Sequence, residues 1–187
     1  MIKDRKIYIL CGGQSLRMGR DKYDLEINGQ TFLKALTDRV ESYFDEVCLL
    51  GSDHLLNTRF KQIPDYVKDA GPLGGLLAAM NHSDEKLFAI VPIDLPLISS
   101  ENLKRLSEIE LNNKDALIAK SENRVQPLLG VYRTNLSDLL EEYLTTGKRS
   151  VMGFLDQIDV EPFEISSAEL MNVNTPEEYQ KLISTIE

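Results

Sequence analysis

The sequence predicts an α/β protein: a three-layer α/β/α sandwich built on a mostly parallel sheet, with residues 1–187 forming one domain. Three observations carry that expectation. Short apolar runs alternate with longer stretches of helical character along the chain. Several of those stretches open on residues suited to cap a helix. The first apolar run, Ile7-Tyr8-Ile9-Leu10, breaks abruptly into Gly12-Gly13, as a strand does when it delivers a ligand-binding turn at the carboxyl edge of a parallel sheet.

Taken in order, strands are expected at residues 6–11, 46–50, 60–63, 87–91, 116–119 and 128–132, and helices at 32–44, 73–81, 101–109 and 135–144. Asn28-Gly29, set between apolar flanks, is a strong turn signal. Thr31 precedes the first helix, Ser99 and Ser100 the third, and Thr134 the fourth; each is a good N-cap because its side-chain oxygen can accept from a first-turn N–H. The last helix has the clearest opening, with Thr175 as N-cap, Pro176 at the first helical position and Glu178 completing a capping box. No repeat, linker or low-complexity segment interrupts the pattern.

Composition narrows the class of function. The chain is long enough to bury a substantial core, and its 42% hydrophobic content is ordinary for a globular protein. No apolar run approaches membrane-spanning length. Residues 1–6 are charged and lead into a short strand with no signal-peptide apolar region, so a cytoplasmic location is expected, without a membrane partner. A net charge of −9 argues against nucleic-acid binding. Cys11 and Cys48 lie in apolar strand-like surroundings and form no Cys-x-x-Cys pair; both are expected as buried free thiols. His54 and His82 have no partners at ligand spacing and read as surface residues.

Within this acidic chain, cations gather at one place. Residues 10–22, Leu-Cys-Gly-Gly-Gln-Ser-Leu-Arg-Met-Gly-Arg-Asp-Lys, combine a glycine turn with Arg17, Arg20 and Lys22. Exposed backbone N–H groups beside cations make an anion site, here one suited to a triphosphate. Two familiar phosphate motifs are excluded. Gly19 is followed by Arg20-Asp21, so there is no Gly-Lys-Ser/Thr P-loop, and Gly12-Gly13 does not extend into a Gly-x-Gly-x-x-Gly helix entry.

Residues 10–22 resemble the Leu-Ala-Gly-Gly-x-x-x-Arg-Met-Gly-x-Asp-Lys signature of the molybdenum cofactor guanylyltransferases, a branch of the nucleotidyltransferases with a Rossmann-like fold. Further matching segments are Gly71-Pro72-Leu73-Gly74-Gly75, Ile93-Asp94-Leu95-Pro96, Gln126-Pro127-Leu128, Gly147-Lys148-Arg149-Ser150-Val151-Met152 and Asn172-Val173-Asn174-Thr175-Pro176-Glu177-Glu178. The likeness thus extends over nearly the whole chain. It implies transfer of GMP from GTP to the terminal phosphate of the molybdenum–molybdopterin cofactor, with Mg²⁺ as cofactor. GTP and molybdopterin are the implied ligands, and molybdenum-insertion proteins and molybdoenzymes the implied protein partners. Alternatives are a related enzyme using CTP on the same pterin, one acting on a sugar or lipid phosphate, and a non-catalytic nucleotide-binding adaptor.

Such a reaction joins two anions, so their mutual repulsion must be neutralised. Asp94 ends the apolar run 87–93 at the carboxyl end of an expected strand, where a carboxylate can hold a phosphate-bound Mg²⁺; the alternative is a turn or helix-capping aspartate. Lys22 is the expected partner of the triphosphate, against a solvated loop lysine, and Arg17 supports the same phosphates or the departing pyrophosphate. Arg20, in a variable slot of the signature, is expected to be solvated. Leu10, Cys11, Gly12 and Gly13 supply backbone that the phosphates approach closely. The resemblance implies that Asp65 and the segment Gly71, Pro72, Leu73, Gly74 and Gly75 help hold the nucleoside; the same segment also reads as a helix entry with close glycine packing. Where some family members carry an asparagine after the second strand, this chain runs Leu50-Gly51-Ser52. On the acceptor side the resemblance places Gln126, Lys148, Arg149, Asn172 and Asn174. For Lys148 and Arg149 a solvated helix-end pair is the alternative, and for the two asparagines pure capping chemistry. The N-terminal part would thus bind GTP and Mg²⁺, the C-terminal part the acceptor.

Overall fold

A computed structural model describes residues 5–12, 22–51, 58–67 and 69–186. Its centre is a seven-stranded sheet of β1 (Lys6–Leu10), β4 (Glu46–Leu50), β5 (Lys61–Ile63), β6 (Leu87–Pro92), β7 (Ala116–Ser121), β8 (Arg124–Arg133) and β9 (Val160–Glu164), in the order β5-β4-β1-β6-β8-β7-β9. All strands are parallel except β8, which runs antiparallel between β6 and β7. A two-stranded hairpin, β2 (Glu26–Ile27) and β3 (Gln30–Thr31), stands apart from the sheet. The helices are α1 (Phe32–Val40), α2 (Pro72–His82), α3 (Ser100–Ser107), α4 (Ser137–Thr145), α5 (Val151–Leu155) and α6 (Pro176–Ile186).

The three layers follow from side-chain alternation. Strands covered on both faces read as continuous apolar runs, because every residue meets a core. Ile7 and Ile9 of β1, with Val47 and Leu49 of β4, face a cluster that takes in Phe32, Leu36 and Val40 of α1, Leu103 of α3 and Leu182 of α6. Their neighbours Tyr8, Leu10, Cys48 and Leu50 face the opposite cluster, with Leu73, Leu76 and Leu77 of α2, Leu140 of α4 and Phe154 of α5. The expected α/β/α sandwich is therefore observed.

Element boundaries differ from expectation in instructive places. Helix α1 stops at Val40, and residues 41–43 form a turn. Thr134 does not cap α4: it opens a short 3₁₀ turn, Thr134–Leu136, and its hydroxyl turns to the Lys86 carbonyl. Strand β9, absent from the sequence reading, holds Pro162 and lies at the sheet edge, where a missing N–H leaves no ladder partner unmet. The Asn28-Gly29 turn forms with φ of 51° and 74°, the left-handed pair that a tight hairpin demands. The capping box at α6 forms fully: the Glu178 N–H donates to Thr175 Oγ1 (3.2 Å), and Glu178 Oε2 accepts from the Asn174 and Thr175 N–H groups (2.6 and 3.1 Å).

Strand order matters most for the site. The chain leaves β1 toward β4 and β5, then crosses back to β6 on the other side of β1. Neighbouring connections thus diverge between β1 and β6, and crevices at such switch points receive ligands beyond the strands' carboxyl ends. The backbone keeps the two strands paired up to that edge, with the Ile93 N–H donating to the Leu10 carbonyl at 3.1 Å.

Candidate active site

Asp94 lies just beyond the carboxyl end of β6, on the crevice. Its side chain is 14% exposed and pairs with Lys22, itself 20% exposed, at 3.1 Å between Nζ and Oδ2. Lys22 Nζ also donates to Asn174 Oδ1. The same Asp94 Oδ2 accepts from Asn172 Nδ2 at 3.4 Å, and Asn172 Oδ1 in turn accepts from Gln126 Nε2 at 2.9 Å. Five residues from four separate stretches of chain thus form one hydrogen-bonded row.

Local structure explains the convergence. Lys22 begins a 3₁₀ turn, Lys22–Asp24, that leads into the β2–β3 hairpin. Helix α6 lies over that hairpin, with the Tyr179 hydroxyl on the Glu26 carbonyl (2.8 Å) and its ring against Phe32. Because Asn174 immediately precedes α6, this packing brings it to Lys22. Asn172 is held from the other side, since the Val173 N–H donates to the Asp94 carbonyl at 2.9 Å. Gln126 is placed by an irregularity where β8 pairs with β7: Gly130 sits opposite Ile118 but Gln126 opposite Ala119. Pro127 lies inside that bulge, and its carbonyl is taken by the Tyr132 hydroxyl at 2.6 Å.

The ends of β1 and β4 and the start of α2 meet through glycine contacts. A Cβ at Gly12 would meet the Gly51 carbonyl oxygen at 2.5 Å, so the ends of β1 and β4 approach as only glycine allows. Gly51 has φ of 68°, and a Cβ there would lie 3.1 Å from Gly12 Cα and 3.2 Å from Asp65 Oδ1. The Asp65 carboxylate rests against Gly51, Gly74 and Gly75. Gly75 packs on Leu10, where a Cβ would come within 2.5 Å of Leu10 Cδ1. Helix α2 starts with Pro72 at its first position and no side-chain cap; Gly71, with φ of 57°, turns the chain into it. In the first turn of α2 Pro72 has no N–H and the Gly74 N–H donates to the Gly71 carbonyl at 3.0 Å; the helix dipole favours a negative group at this end. Leu10 and Cys11 are buried. Burial pushes the Cys11 thiol up to about 12, which leaves it neutral and unreactive.

Other expected residues fall elsewhere. Arg149 donates to the carbonyls of Leu144 (2.9 Å), Lys148 (2.7 Å) and Asp69 (3.2 Å), so it closes the carboxyl end of α4 and ties it to the loop before α2. Lys148 lies over the Tyr143 ring at 5.3 Å. Neither joins the Gln126–Asn172 row. His82 is not a free surface residue: its Nδ1 meets the Tyr8 hydroxyl at 2.8 Å, and burial lowers its pKa. Gly13, Arg17, Arg20, Ser52 and His54 lie outside the described residues.

Arg39 of α1 braces the loop after Asp94, a contact that the sequence reading missed. It donates to the carbonyls of Ile98 and Pro96, the latter at 3.2 Å, and its Nε holds Ala35 in its own helix. The loop that follows Asp94 is thereby tied to α1. A lone arginine on an amphipathic helix gives no such signal, because its acceptors are backbone groups 57 and 59 residues away.

One atom in the cluster stands out. Asp94 Oδ1 is buried and has no hydrogen-bond partner among the described residues, which costs free energy unless something fills the gap. Among the described residues no group of three or more His, Cys, Asp or Glu is arranged to hold a metal ion by itself. A single free carboxylate oxygen fits Mg²⁺, which takes one or two carboxylates and completes its shell with water and substrate phosphates.

A parallel sheet that opens at its switch point onto a lysine–carboxylate pair and a glycine-lined helix entry defines a nucleotidyltransferase. The chain belongs to the MobA-like NTP transferase domain family, whose model matches residues 7–160. It is 31% identical to the molybdenum cofactor guanylyltransferase of Shewanella baltica strain OS185, with 95% of each chain covered. It is 28% identical to the probable molybdenum cofactor guanylyltransferase of Bacillus cytotoxicus, with 94% of each covered. Its fold matches the crystal structure of molybdopterin-guanine dinucleotide biosynthesis protein A from Archaeoglobus fulgidus with a TM-score of 0.82, at 23% identity over 97% of this chain and 98% of that one. No helix among the described residues is long and apolar enough to cross a membrane.

Proposed function

We propose that this protein transfers GMP from GTP to the terminal phosphate of the molybdenum–molybdopterin cofactor, in the cytoplasm and within one domain, releasing pyrophosphate. An acceptor phosphate oxygen attacks the α-phosphorus of GTP, the bond from that phosphorus to the bridging oxygen breaks, and pyrophosphate leaves with the electron pair. The observation that carries this reading is the Lys22–Asp94 pair at the switch point, flanked by Asn172 and Asn174, with Asp94 Oδ1 unpartnered among the described residues. The names of the relatives supply the choice of GTP and molybdopterin.

Each residue has a definite task. An ammonium offers three donors; among the described residues Lys22 gives one to Asp94 and one to Asn174, and the third would serve the β- and γ-phosphates. Asn172 and Lys22 together occupy Asp94 Oδ2, which fixes the carboxylate plane. Asp94 would hold Mg²⁺ through Oδ1; when bound, the ion neutralises phosphate charge and orients the α-phosphorus. Arg39 keeps the loop behind Asp94 in place. The first turn of α2 and the Asp65 carboxylate receive the nucleoside. Catalysis is positioning plus charge neutralisation, and no covalent nucleophile is needed.

The test is pyrophosphate release with GTP, Mg²⁺ and molybdopterin present together. Turnover that needs all three supports the reading, and turnover unaffected by omission of molybdopterin or by Asp94→Asn contradicts it.

A further inference from the structure

A second concavity lies on the acceptor side, a cavity of about 710 Å³ between α3, the end of β7 and the segment 164–169. None of the five residues of the row lines it, but its walls belong to the same chain segments. Ser99 ends the loop that Asp94 begins, Glu169 and Asn172 lie on one segment, and Ser121 and Gln126 flank the turn between β7 and β8. The walls are braced: Glu169 accepts from the Ser99 N–H (2.9 Å), from the Asn102 amide (2.8 and 3.0 Å) and from the Ser166 hydroxyl (2.9 Å). Arg105 bonds Asn102 Oδ1 at 2.6 Å and lies over the Phe163 ring at 4.4 Å.

What remains unspent in this cavity describes its ligand. The Ser121 side chain lines it at 3% exposure, with no hydrogen-bond partner for its Oγ among the described residues. The carboxylates of Glu101, Glu122 and Glu164 also line it and make no hydrogen bond or ion pair with described residues. Arg105 is the single cation on the wall. Such a cavity repels phosphate and calls for a ligand rich in N–H donors, with one or two acceptors for Ser121 and Arg105.

We propose that this cavity takes the pterin ring of the acceptor by its 2-amino-4-oxo pyrimidine edge. The proposal rests on molybdopterin being the acceptor. The 2-amino group and the ring N–H make a guanidine-like donor edge that free carboxylates accept, and the 4-oxo group is an acceptor for Arg105 and Ser121. The acidic walls also orient the molecule, since they turn its phosphate away toward Lys22 and the metal site at Asp94.

The experiment is an equilibrium titration of the full-length protein with 6-hydroxymethylpterin, a phosphate-free pterin, followed by its intrinsic fluorescence in the absence of GTP. Wild type is expected to show saturable quenching that excess GTP does not displace. The exposed double variant Glu122→Gln/Glu164→Gln is expected to weaken it at least about tenfold and to raise KM for molybdopterin by a similar factor, with KM for GTP unchanged. Absence of saturable quenching, displacement by GTP, or wild-type pterin affinity in the double variant overturns the proposal. Turnover of the same preparation with GTP and molybdopterin separates the claims. Turnover with unaltered KM for molybdopterin in the variant overturns the cavity assignment alone, whereas no turnover in wild type overturns the functional reading.

Discussion

Replacing Gly12 by alanine tests how far the site depends on the close approach of β1 and β4. The new Cβ would lie 2.5 Å from the Gly51 carbonyl oxygen, 2.9 Å from its Cα and 3.0 Å from its carbonyl carbon. These are backbone atoms, and Gly51 is itself held at φ of 68°, so no rotamer change relieves the overlap. Restoring an ordinary contact requires a shift of roughly 0.9 Å between two strand ends in a close-packed interior. Overpacking of this kind costs about 1–3 kcal/mol. For a domain of this size each kcal/mol lowers Tm by roughly 2–4 °C, giving a fall of about 2–12 °C. Gly51 adjoins Asp65, and misplacement on the order of 1 Å can cost about 100-fold in rate. A loss in kcat/KM for GTP of roughly tenfold or more is therefore expected. Gly29→Ala is the control: nothing lies within 4 Å of its added Cβ, so it carries only the left-handed backbone cost of about 1–2 kcal/mol and leaves kcat/KM intact. Thermal melts and GTP-dependent pyrophosphate release measure both quantities. A Gly12→Ala protein with wild-type Tm and kcat/KM refutes the reasoning.

Asp94→Asn and Lys22→Met should each lower turnover by about 100-fold or more while melting as cooperatively as wild type, because both side chains retain some solvent contact; near-wild-type turnover removes the residue concerned from the site. Arg39→Met strands the Ile98 and Pro96 carbonyls, at about 1–3 kcal/mol, and should raise the Mg²⁺ concentration for half-maximal rate, with partial recovery in Arg39→Lys; metal dependence identical to wild type in Arg39→Met contradicts its positioning role. Burial pushes the Cys11 and Cys48 thiols up to about 12 from an ordinary 9.0. Above pH 9 the unfolded chain therefore loses these protons first, and the stabilisation present below that pH declines as pH rises toward 12. A thiol reagent at pH 8 should label neither cysteine in the native protein and both after denaturation; rapid native labelling contradicts this burial.

The parts of the fold legible in sequence were those set by local chemistry. The buried parallel strands announced themselves as unbroken apolar runs, the Asn28-Gly29 hairpin as a dipeptide that tolerates positive φ, and α6 through Thr175, Pro176 and Glu178. Edge strand β9 was not legible, because Val160-Glu161-Pro162-Phe163-Glu164 is half polar and carries a proline, and only pairing with β7 makes it a strand. In the site, Asp94 was readable from its place at the end of an apolar run. Its contacts with Lys22 and Asn172 were not, since they span 72 and 78 residues. Lys148 and Arg149 show the converse: two cations before a helix look like an anion site, yet the arginine is committed to carbonyls at the end of α4. The resemblance named Asn172 and Asn174 for the acceptor side, and capping chemistry was their alternative. The structure shows that the Asn174 backbone serves the capping box while its side chain serves Lys22.

The most direct measurement of the central claim is pyrophosphate release from each of ATP, CTP, GTP and UTP, with Mg²⁺, in the presence and absence of molybdopterin. Release confined to GTP with molybdopterin, and lost in Asp94→Asn, is the predicted result. Release that favours CTP, that proceeds without molybdopterin, or that survives Asp94→Asn contradicts it.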